Sequence, residues 1–162
     1  MNLSAFIERH PPHSTRRPPA NPDEHRLLGS SDGVRQIRTP PAIAEERHVP
    51  SRQGDVGCHL WVINEDGIPY ILERAAIANS LQSGVVYHTN LTGGGPASSG
   101  GELWVDPGDD AKLYINGCSG RYGPETEEEL DDAASVFMNL DFSVQSFGWD
   151  RDAGLPAKVF RR

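Results

Sequence analysis

The 162-residue sequence has no long apolar run and only two cysteines, Cys58 and Cys118. No stretch approaches the roughly 18 apolar residues that a membrane-spanning helix requires. The opening MNLSAFIERH also lacks the basic start and continuous apolar stretch of a signal peptide. These absences predict a cytoplasmic protein with no membrane partner. The two cysteines show no metal-ligand spacing, so the sequence predicts neither a metal site nor a disulfide framework.

Basic residues are outnumbered and unevenly distributed. The chain carries 15 basic and 23 acidic residues, a net charge of −8. Residues 1–54 hold eight arginines against six acids, about +2, whereas residues 55–162 hold seven basic residues against seventeen acids, about −10. Because an acidic surface repels a phosphate backbone, the sequence predicts that the core does not bind nucleic acid.

Proline separates the chain into two parts. Residues 1–54 contain eight of the thirteen prolines and show no sustained helical or strand period. Such a composition buries too little apolar surface to offset the entropy of ordering the chain. We therefore expect a Pro/Arg-rich leader, residues 1–54, that is mostly disordered, and a compact acidic α+β domain, residues 55–162. Within the leader, DEHRLLGSSDG predicts a short turn of helix or a docking segment.

The strands of this domain follow from short apolar runs. HLWVIN and IPYILE flank Asp66-Gly67, a strong hairpin signal, and GELWV and KLYIN form a second hairpin. GVVYH and FSVQSFGW predict two further strands, and AKVFRR an edge strand or tail. The expected architecture is a mainly antiparallel twisted sheet of about six strands.

Two helices are predicted beside the sheet. RAAIANSLQ has the spacing of one short helix. Thr126 and Glu129 have the Thr-x-x-Glu spacing of a capping box, followed by an apolar stripe, and therefore predict one major carboxy-terminal helix.

Two glycine-rich loops, HTNLTGGGPASSGG and GCSGRYGP, interrupt these elements. Glycine in such loops is typical of tight turns or of backbone that approaches a ligand closely. If the flanking strands are neighbours, the polar side chains of both loops converge at one end of the sheet. The sequence then predicts a site with His88, Glu102 and Tyr122 as catalytic residues and Thr89, Asn90, Thr92, Ser119 and Arg121 as ligand-binding residues.

The same polar residues also fit a purely structural interpretation. Glu102 and Arg121 would then form an ion pair. The side chains of His88, Asn90 and Ser119 would cap turns. The sequence leaves the two interpretations open.

The block HTNLTGGGPASSGGELWV…KLYINGCSGRYGP resembles the H-S-x-L-x-G-G…S-G-H-Y-x-P block in the carboxy-terminal region of plant IQ-motif calmodulin-binding proteins. It is similar also to a block in uncharacterised bacterial effector-like and stand-alone proteins. The resemblance covers roughly residues 58–149 and implies a shared domain rather than a particular reaction. Arg121 stands where the plant block has histidine, and the chain shows no IQ motif. The resemblance therefore does not predict that this chain binds calmodulin.

The leading enzymatic hypothesis is an ADP-ribosyltransferase-like effector or toxin that uses NAD. In one branch of these enzymes a histidine and a tyrosine hold NAD, and a carboxylate stabilises the ribosyl cation. His88, Tyr122 and Glu102 match that set in residue type, with Glu125 or Glu127 as alternative acids. The expected ligand is thus a nucleotide.

Two other chemistries fit the sequence less well. A nucleophile at Cys118 or Ser119 lacks the G-x-S-x-G elbow. A phosphate loop lacks the required Gly-Lys-Ser/Thr.

The alternative to an enzyme is a non-catalytic interaction module, an immunity-type or accessory protein that binds a basic protein or peptide. Exposure of Trp104 or Trp149 beside an apolar patch would favour this alternative, and burial of both together with Trp61 would disfavour it.

Overall fold

A six-stranded mixed sheet lies at the centre of the computed structural model, which describes residues 1–42 and 44–162. In chain order its strands are β1 (Arg35–Gln36), β2 (His59–Ile63), β3 (Pro69–Leu72), β4 (Ser99–Val105), β5 (Lys112–Asn116) and β6 (Ser143–Ser146). Their spatial order is β1-β3-β2-β4-β5-β6. A separate antiparallel pair consists of β7 (Trp149–Asp150) and β8 (Leu155–Pro156).

Helices precede, interrupt and follow the strands. They are α1 (Leu3–Arg9), α2 (Pro22–Leu27), a 3-10 helix (Ala76–Ser80), α3 (His88–Thr92) and α4 (Glu127–Asn139). The α+β class is confirmed. The short helix predicted from RAAIANSLQ is present as the 3-10 helix.

Both predicted hairpins are confirmed. Strands β2 and β3 pair antiparallel, and Asn64 and Gly67 exchange backbone hydrogen bonds of 3.0 and 3.2 Å across the turn. Strands β4 and β5 pair antiparallel in the same way.

The antiparallel description of the sheet is not wholly correct. Four of its five pairings are antiparallel, but β6 runs parallel to β5. Helix α4 lies between these two strands in the chain. It brings the chain back to the end of the sheet at which β5 begins, as a crossover between parallel strands requires.

The strand predicted at GVVYH is wrong. Residues 84–87 are irregular and α3 begins at His88. The Asn90 Oδ1 atom accepts a hydrogen bond of 2.7 Å from the Tyr87 backbone N–H, which satisfies a donor that a strand would have used. Gly93, with φ 62°, ends the helix in the left-handed region that favours glycine.

The amino-terminal segment differs most from its expected disorder. Phe6 of α1 is fully buried in the core, and so is Glu24 of α2, while β1 adds to the sheet beside β3. Backbone hydrogen bonds join His13 to Ala97 in both directions. The described residues of the leader therefore pack against the rest of the domain. The composition of the segment does not reveal these contacts, because they depend on a few individual residues.

The sheet is covered on both faces. On one face Trp61 packs edge-on against Phe137 of α4, with ring centroids 5.3 Å apart. On the other face Trp104 stacks on Phe147 at the same separation. Trp61 and Trp104 are fully buried and Trp149 is half-buried, so two of the three tryptophans belong to the core.

Thr126 caps α4 as predicted, but the capping box is only half formed, because Glu129 Oε2 accepts from the Glu125 backbone N–H and not from that of Thr126. Thr126 Oγ1 accepts a hydrogen bond of 3.1 Å from the Glu129 backbone N–H. We expect Thr126→Ala to lower the free energy of unfolding by about 0.5–2 kcal/mol, measured by urea denaturation. Ser135→Ala is the control, because the Ser135 hydroxyl bonds only to the Asp131 carbonyl within the same helix. Equal effects of the two substitutions would refute the capping role.

Candidate functional site

The three residues predicted to be catalytic are buried, and each has a protein partner. His88 begins α3 and is 8% exposed as a residue, and its Nε2 atom lies 2.8 Å from the Gly101 carbonyl oxygen. Burial lowers the pKa of His88 to about 4. The ring is therefore neutral at pH 7, and Nε2–H donates to that carbonyl, because a carbonyl only accepts.

Glu102 lies on β4 and faces away from solvent. Its Oε2 atom accepts hydrogen bonds from Asn116 Nδ2 at 2.8 Å and from the Gly54 backbone N–H at 3.1 Å. Burial raises the pKa of Glu102 to about 7, although both hydrogen bonds act in the opposite direction. The expected Glu102–Arg121 ion pair is not formed.

Tyr122 connects the two glycine-rich loops. The side chain is fully buried, its hydroxyl donates to the Gly95 carbonyl at 2.7 Å, and the same hydroxyl lies 2.9 Å from Thr92 Oγ1. Burial raises the pKa of this phenol above its ordinary value. The two loops therefore contact each other through this tyrosine.

Arg121 pairs with Glu24, a residue that the sequence analysis did not select. The guanidinium donates to both carboxylate oxygens, from Nε at 3.1 Å and from Nη2 at 2.8 Å, and Thr89 Oγ1 donates to Glu24 at 2.6 Å. Burial raises the pKa of Glu24, but the hydrogen bonds from Arg121 and Thr89 outweigh it, so that pKa lies below its ordinary value. The ion pair fixes α2 onto both loops.

The remaining predicted ligand-binding residues also have protein partners. Asn90 Nδ2 donates to the Glu24 carbonyl, and Ser119 Oγ accepts from the Tyr122 backbone N–H at 3.1 Å. None of the five cavities described on residues 1–42 and 44–162 is lined by His88, Glu102 or Tyr122. Of the eight predicted site residues, Ser119 alone lines one of these five cavities.

That cavity is an open groove of about 590 Å³ beside the second glycine-rich loop, and we call it the glycine-loop groove. Its walls come from the leader, the loop and the carboxy-terminal segment. They consist of Arg16, Arg17, Gln53, Gly117, Cys118, Ser119, Gly120, Gly123, Pro124, Glu125, Gly154, Leu155, Pro156 and Lys158.

The glycine-loop groove is basic, although the whole chain carries −8. Three cations line it against one carboxylate. Arg16 is paired with that carboxylate, Glu125, at 3.2 Å. The side chains of Arg17 and Lys158 are exposed and form no ion pair or hydrogen bond with any residue that the structure describes. Two uncompensated cations thus face the groove and give it a positive potential.

The wall of the groove is held in one shape by close packing. A Cβ atom at Gly117 would lie 2.5 Å from Pro124 Cγ and 3.0 Å from Pro156 Cγ, so glycine is required there. Backbone hydrogen bonds from Ser119 to Gly117 and from Gly123 to Ser119 fold the loop into successive turns. The loop is therefore formed before any ligand arrives.

Comparisons with protein-family models, with curated proteins and with solved structures found no match to this chain.

Within the described residues, no helix is both long enough and apolar enough to cross a membrane.

The buried histidines lead to a prediction about pH. Burial lowers the pKa of His88 and of His59 from 6.5 to about 4, so protons bind to the unfolded chain first as the pH falls. Their contribution to stability is complete above pH 6.5 and is lost as the pH falls toward 4. For each histidine, the free energy of unfolding falls by about 1.4 kcal/mol for every unit by which the pH falls in this window.

The substitution His88→Gln isolates one of these contributions. Glutamine retains a donor for the Gly101 carbonyl but does not titrate. Between pH 7 and pH 5 we expect the wild type to lose about 2 kcal/mol more stability than this variant in urea denaturation. His25→Gln, at an exposed position, should follow the wild type. The prediction would be contradicted if the free energy of unfolding depended on pH in the same way for the wild type and for His88→Gln.

Proposed function

We propose that this protein binds a phosphate-bearing nucleotide, with NAD among the candidates, in the glycine-loop groove. The observation that carries the proposal is the pair of uncompensated cations, Arg17 and Lys158, beside a preformed glycine-rich loop. Phosphate oxygens are strong acceptors that such cations and turn backbone bind well.

The dimensions of the groove support a small organic ligand. Pockets for such ligands commonly measure about 300–1,000 Å³, and this groove measures about 590 Å³. A Cβ atom at Gly120 would have the Arg17 guanidinium as its nearest neighbour, with Nη1 at 3.7 Å. The loop backbone and the cation therefore lie close enough to share one phosphate group.

ADP-ribosyl transfer remains the enzymatic form of the proposal, with a different acid. Glu102 and His88 are buried among protein partners, whereas Glu125, one of the alternative acids, lines the groove. Glu125 is therefore the candidate to stabilise positive charge on the ribose as the bond to nicotinamide breaks. The other alternative acid, Glu127, pairs with Arg151 on the surface.

A thermal-shift screen against NAD, ADP, AMP and inorganic phosphate tests binding. At a ligand concentration about 100 times Kd, binding raises the free energy of unfolding by about 2.7 kcal/mol. For a chain of this size that gain raises the Tm by roughly 5–10 °C. Lys158→Ala should reduce the shift to about half, as a tenfold loss of affinity would, while Arg38→Ala, which changes an exposed arginine outside the groove, should retain it in full. Absence of any shift in the wild type would refute the proposal.

Release of nicotinamide from NAD tests catalysis separately. Glu125→Gln should abolish release while retaining the thermal shift. Release that is unaffected by this substitution would exclude Glu125 as the acid. Binding without release would leave the protein as a nucleotide-binding module.

One observation favours the interaction-module alternative. Half-buried Trp149 lines a neighbouring cavity of about 460 Å³ with Leu155 and Val159, which are 52% and 56% exposed. An aromatic ring beside exposed aliphatic side chains is typical of a peptide-binding surface. Titration with an arginine-rich peptide should then change the fluorescence of Trp149, and Trp149→Phe should remove the change. No change in the wild type would exclude this alternative.

A further inference from the structure

A thiol and two carboxyl groups converge at one end of the sheet, away from the glycine-loop groove. Cys58 directly precedes β2, Glu73 directly follows β3, and Glu102 lies on β4. Strand β2 pairs with both neighbours, His59 opposite Leu72 and Leu60 opposite Glu102. This register places Cys58 opposite Glu73 and sets all three side chains on the same face.

The three potential ligand atoms lie within 4.8 Å of one another. Cys58 Sγ is 3.8 Å from Glu73 Oε2. In a zinc site with Zn–S of about 2.3 Å and Zn–O of about 2.0–2.2 Å, ligand atoms lie roughly 3.3–3.7 Å apart. The separation of Cys58 Sγ and Glu73 Oε2 already lies close to that range.

One cation, Arg74, lies beside the cluster and lines the same cavity. Neither Glu73 nor Glu102 forms an ion pair with lysine or arginine in the part of the chain that the structure describes. Cys58 is 4% exposed, as is Glu102. Buried ionisable groups are normally neutral, paired with an opposite charge or bound to a metal, and these carboxyl groups form no ion pair with the described residues.

The cluster is accessible from solvent through a cavity of about 220 Å³. Cys58 and Glu73 line the cavity together with residues 54–57. Glu73 is half-buried and forms the outer side of the cluster. A cation can therefore enter, and the cavity leaves room for water as a further ligand.

We infer that Cys58, Glu73 and Glu102 bind a divalent cation of the zinc class through one thiolate and two carboxylates. A thiolate ligand selects zinc and similar transition metals over magnesium or calcium. Binding displaces the thiol proton to solvent and places the cation between the thiolate and the two carboxylates. The site is separate from the groove and does not depend on nucleotide binding.

Cobalt titration of the full-length protein, first treated with a chelator, tests this site. We expect one equivalent of Co²⁺ to produce the thiolate-to-cobalt charge-transfer absorption, which Zn²⁺ then removes by displacement. Cys58→Ser should lose the absorption. Cys118→Ser is the matched control, because Cys118 is the other buried free cysteine and its Sγ bonds to the Ala157 carbonyl. It should retain the absorption.

A second variant keeps the test decisive if Cys58→Ser does not fold. Glu73→Gln changes a half-buried side chain and should weaken cobalt affinity about tenfold or more while the thiolate absorption persists at saturation. The inference is overturned if the wild type shows no charge-transfer absorption or if Cys118→Ser loses it. Glu73→Gln binding cobalt as tightly as the wild type would also overturn it.

Discussion

Removal of residues 1–50 should prevent residues 51–162 from folding cooperatively at 25 °C. The deletion removes Phe6 from the core and Glu24 from its pair with Arg121. Loss of a buried phenylalanine costs about 3–5 kcal/mol, and a buried charge left without its partner costs about as much again. The sum approaches the whole stability of a typical domain, about 5–15 kcal/mol.

Circular dichroism melting of the truncated protein measures this effect, and point variants in α1 separate its causes. Phe6→Ala should lower the Tm of the full-length protein by roughly 6–20 °C. Glu8→Ala, at an exposed position of the same helix, should change stability by less than about 0.5 kcal/mol. A truncated protein that melts within a few degrees of the full-length chain would restore the division into a dispensable leader and an independent domain.

The second large effect is expected at the Glu24–Arg121 pair. Glu24→Ala leaves the guanidinium buried without its carboxylate, and Arg121→Ala leaves the carboxylate without its guanidinium. Each should lower the free energy of unfolding by about 3–5 kcal/mol in urea denaturation. The double substitution should cost clearly less than the sum of the two, because it leaves neither charge unpaired.

An exposed ion pair of the same geometry provides the control. Arg151 donates to both carboxylate oxygens of Glu127, but its side chain is 80% exposed. Substitution of either partner should cost about 0–1 kcal/mol. If the buried and exposed pairs cost the same, Arg121 does not carry the structural role described here. A loss of ligand affinity without a loss of stability in Arg121→Ala would assign it to binding instead.

The parts of the fold that were predicted correctly depend on local signals. Asp66-Gly67 determines its hairpin through the turn itself, and Thr126 caps α4 through a hydrogen bond three residues along the chain. The error at residues 84–88 is also local. Val85 and Val86 favour a strand, but the bond between Asn90 and Tyr87 favours the start of a helix.

The parts that were missed depend on distant partners. Glu24 meets Thr89 and Arg121, which are 65 and 97 residues away in the chain. No local pattern identifies such a pair. Helix α2 itself was indicated, because a turn of helix was expected within DEHRLLGSSDG. Asn21 Oδ1 caps that helix by accepting from the Glu24 backbone N–H at 2.9 Å.

The candidate site was also difficult to predict from the sequence, because its residues depend on distant contacts. Residue type alone selected His88, Glu102 and Tyr122, because such side chains in glycine-rich loops often contact a ligand. The structure pairs each of them with protein atoms instead. The cations of the glycine-loop groove, Arg17 and Lys158, come from the two ends of the chain and were not part of the predicted site.

Calorimetric titration with ADP, which shares its pyrophosphate with NAD, tests the proposed function most directly. The wild type should bind one equivalent, and the affinity should fall as salt concentration rises, because the cations are exposed. The Arg17→Ala/Lys158→Ala double variant should bind at least about tenfold more weakly, in line with the loss of charge-assisted hydrogen bonds, and Arg38→Ala should match the wild type. Absence of binding by the wild type, or equal affinity in the double variant, would contradict a nucleotide site in the groove.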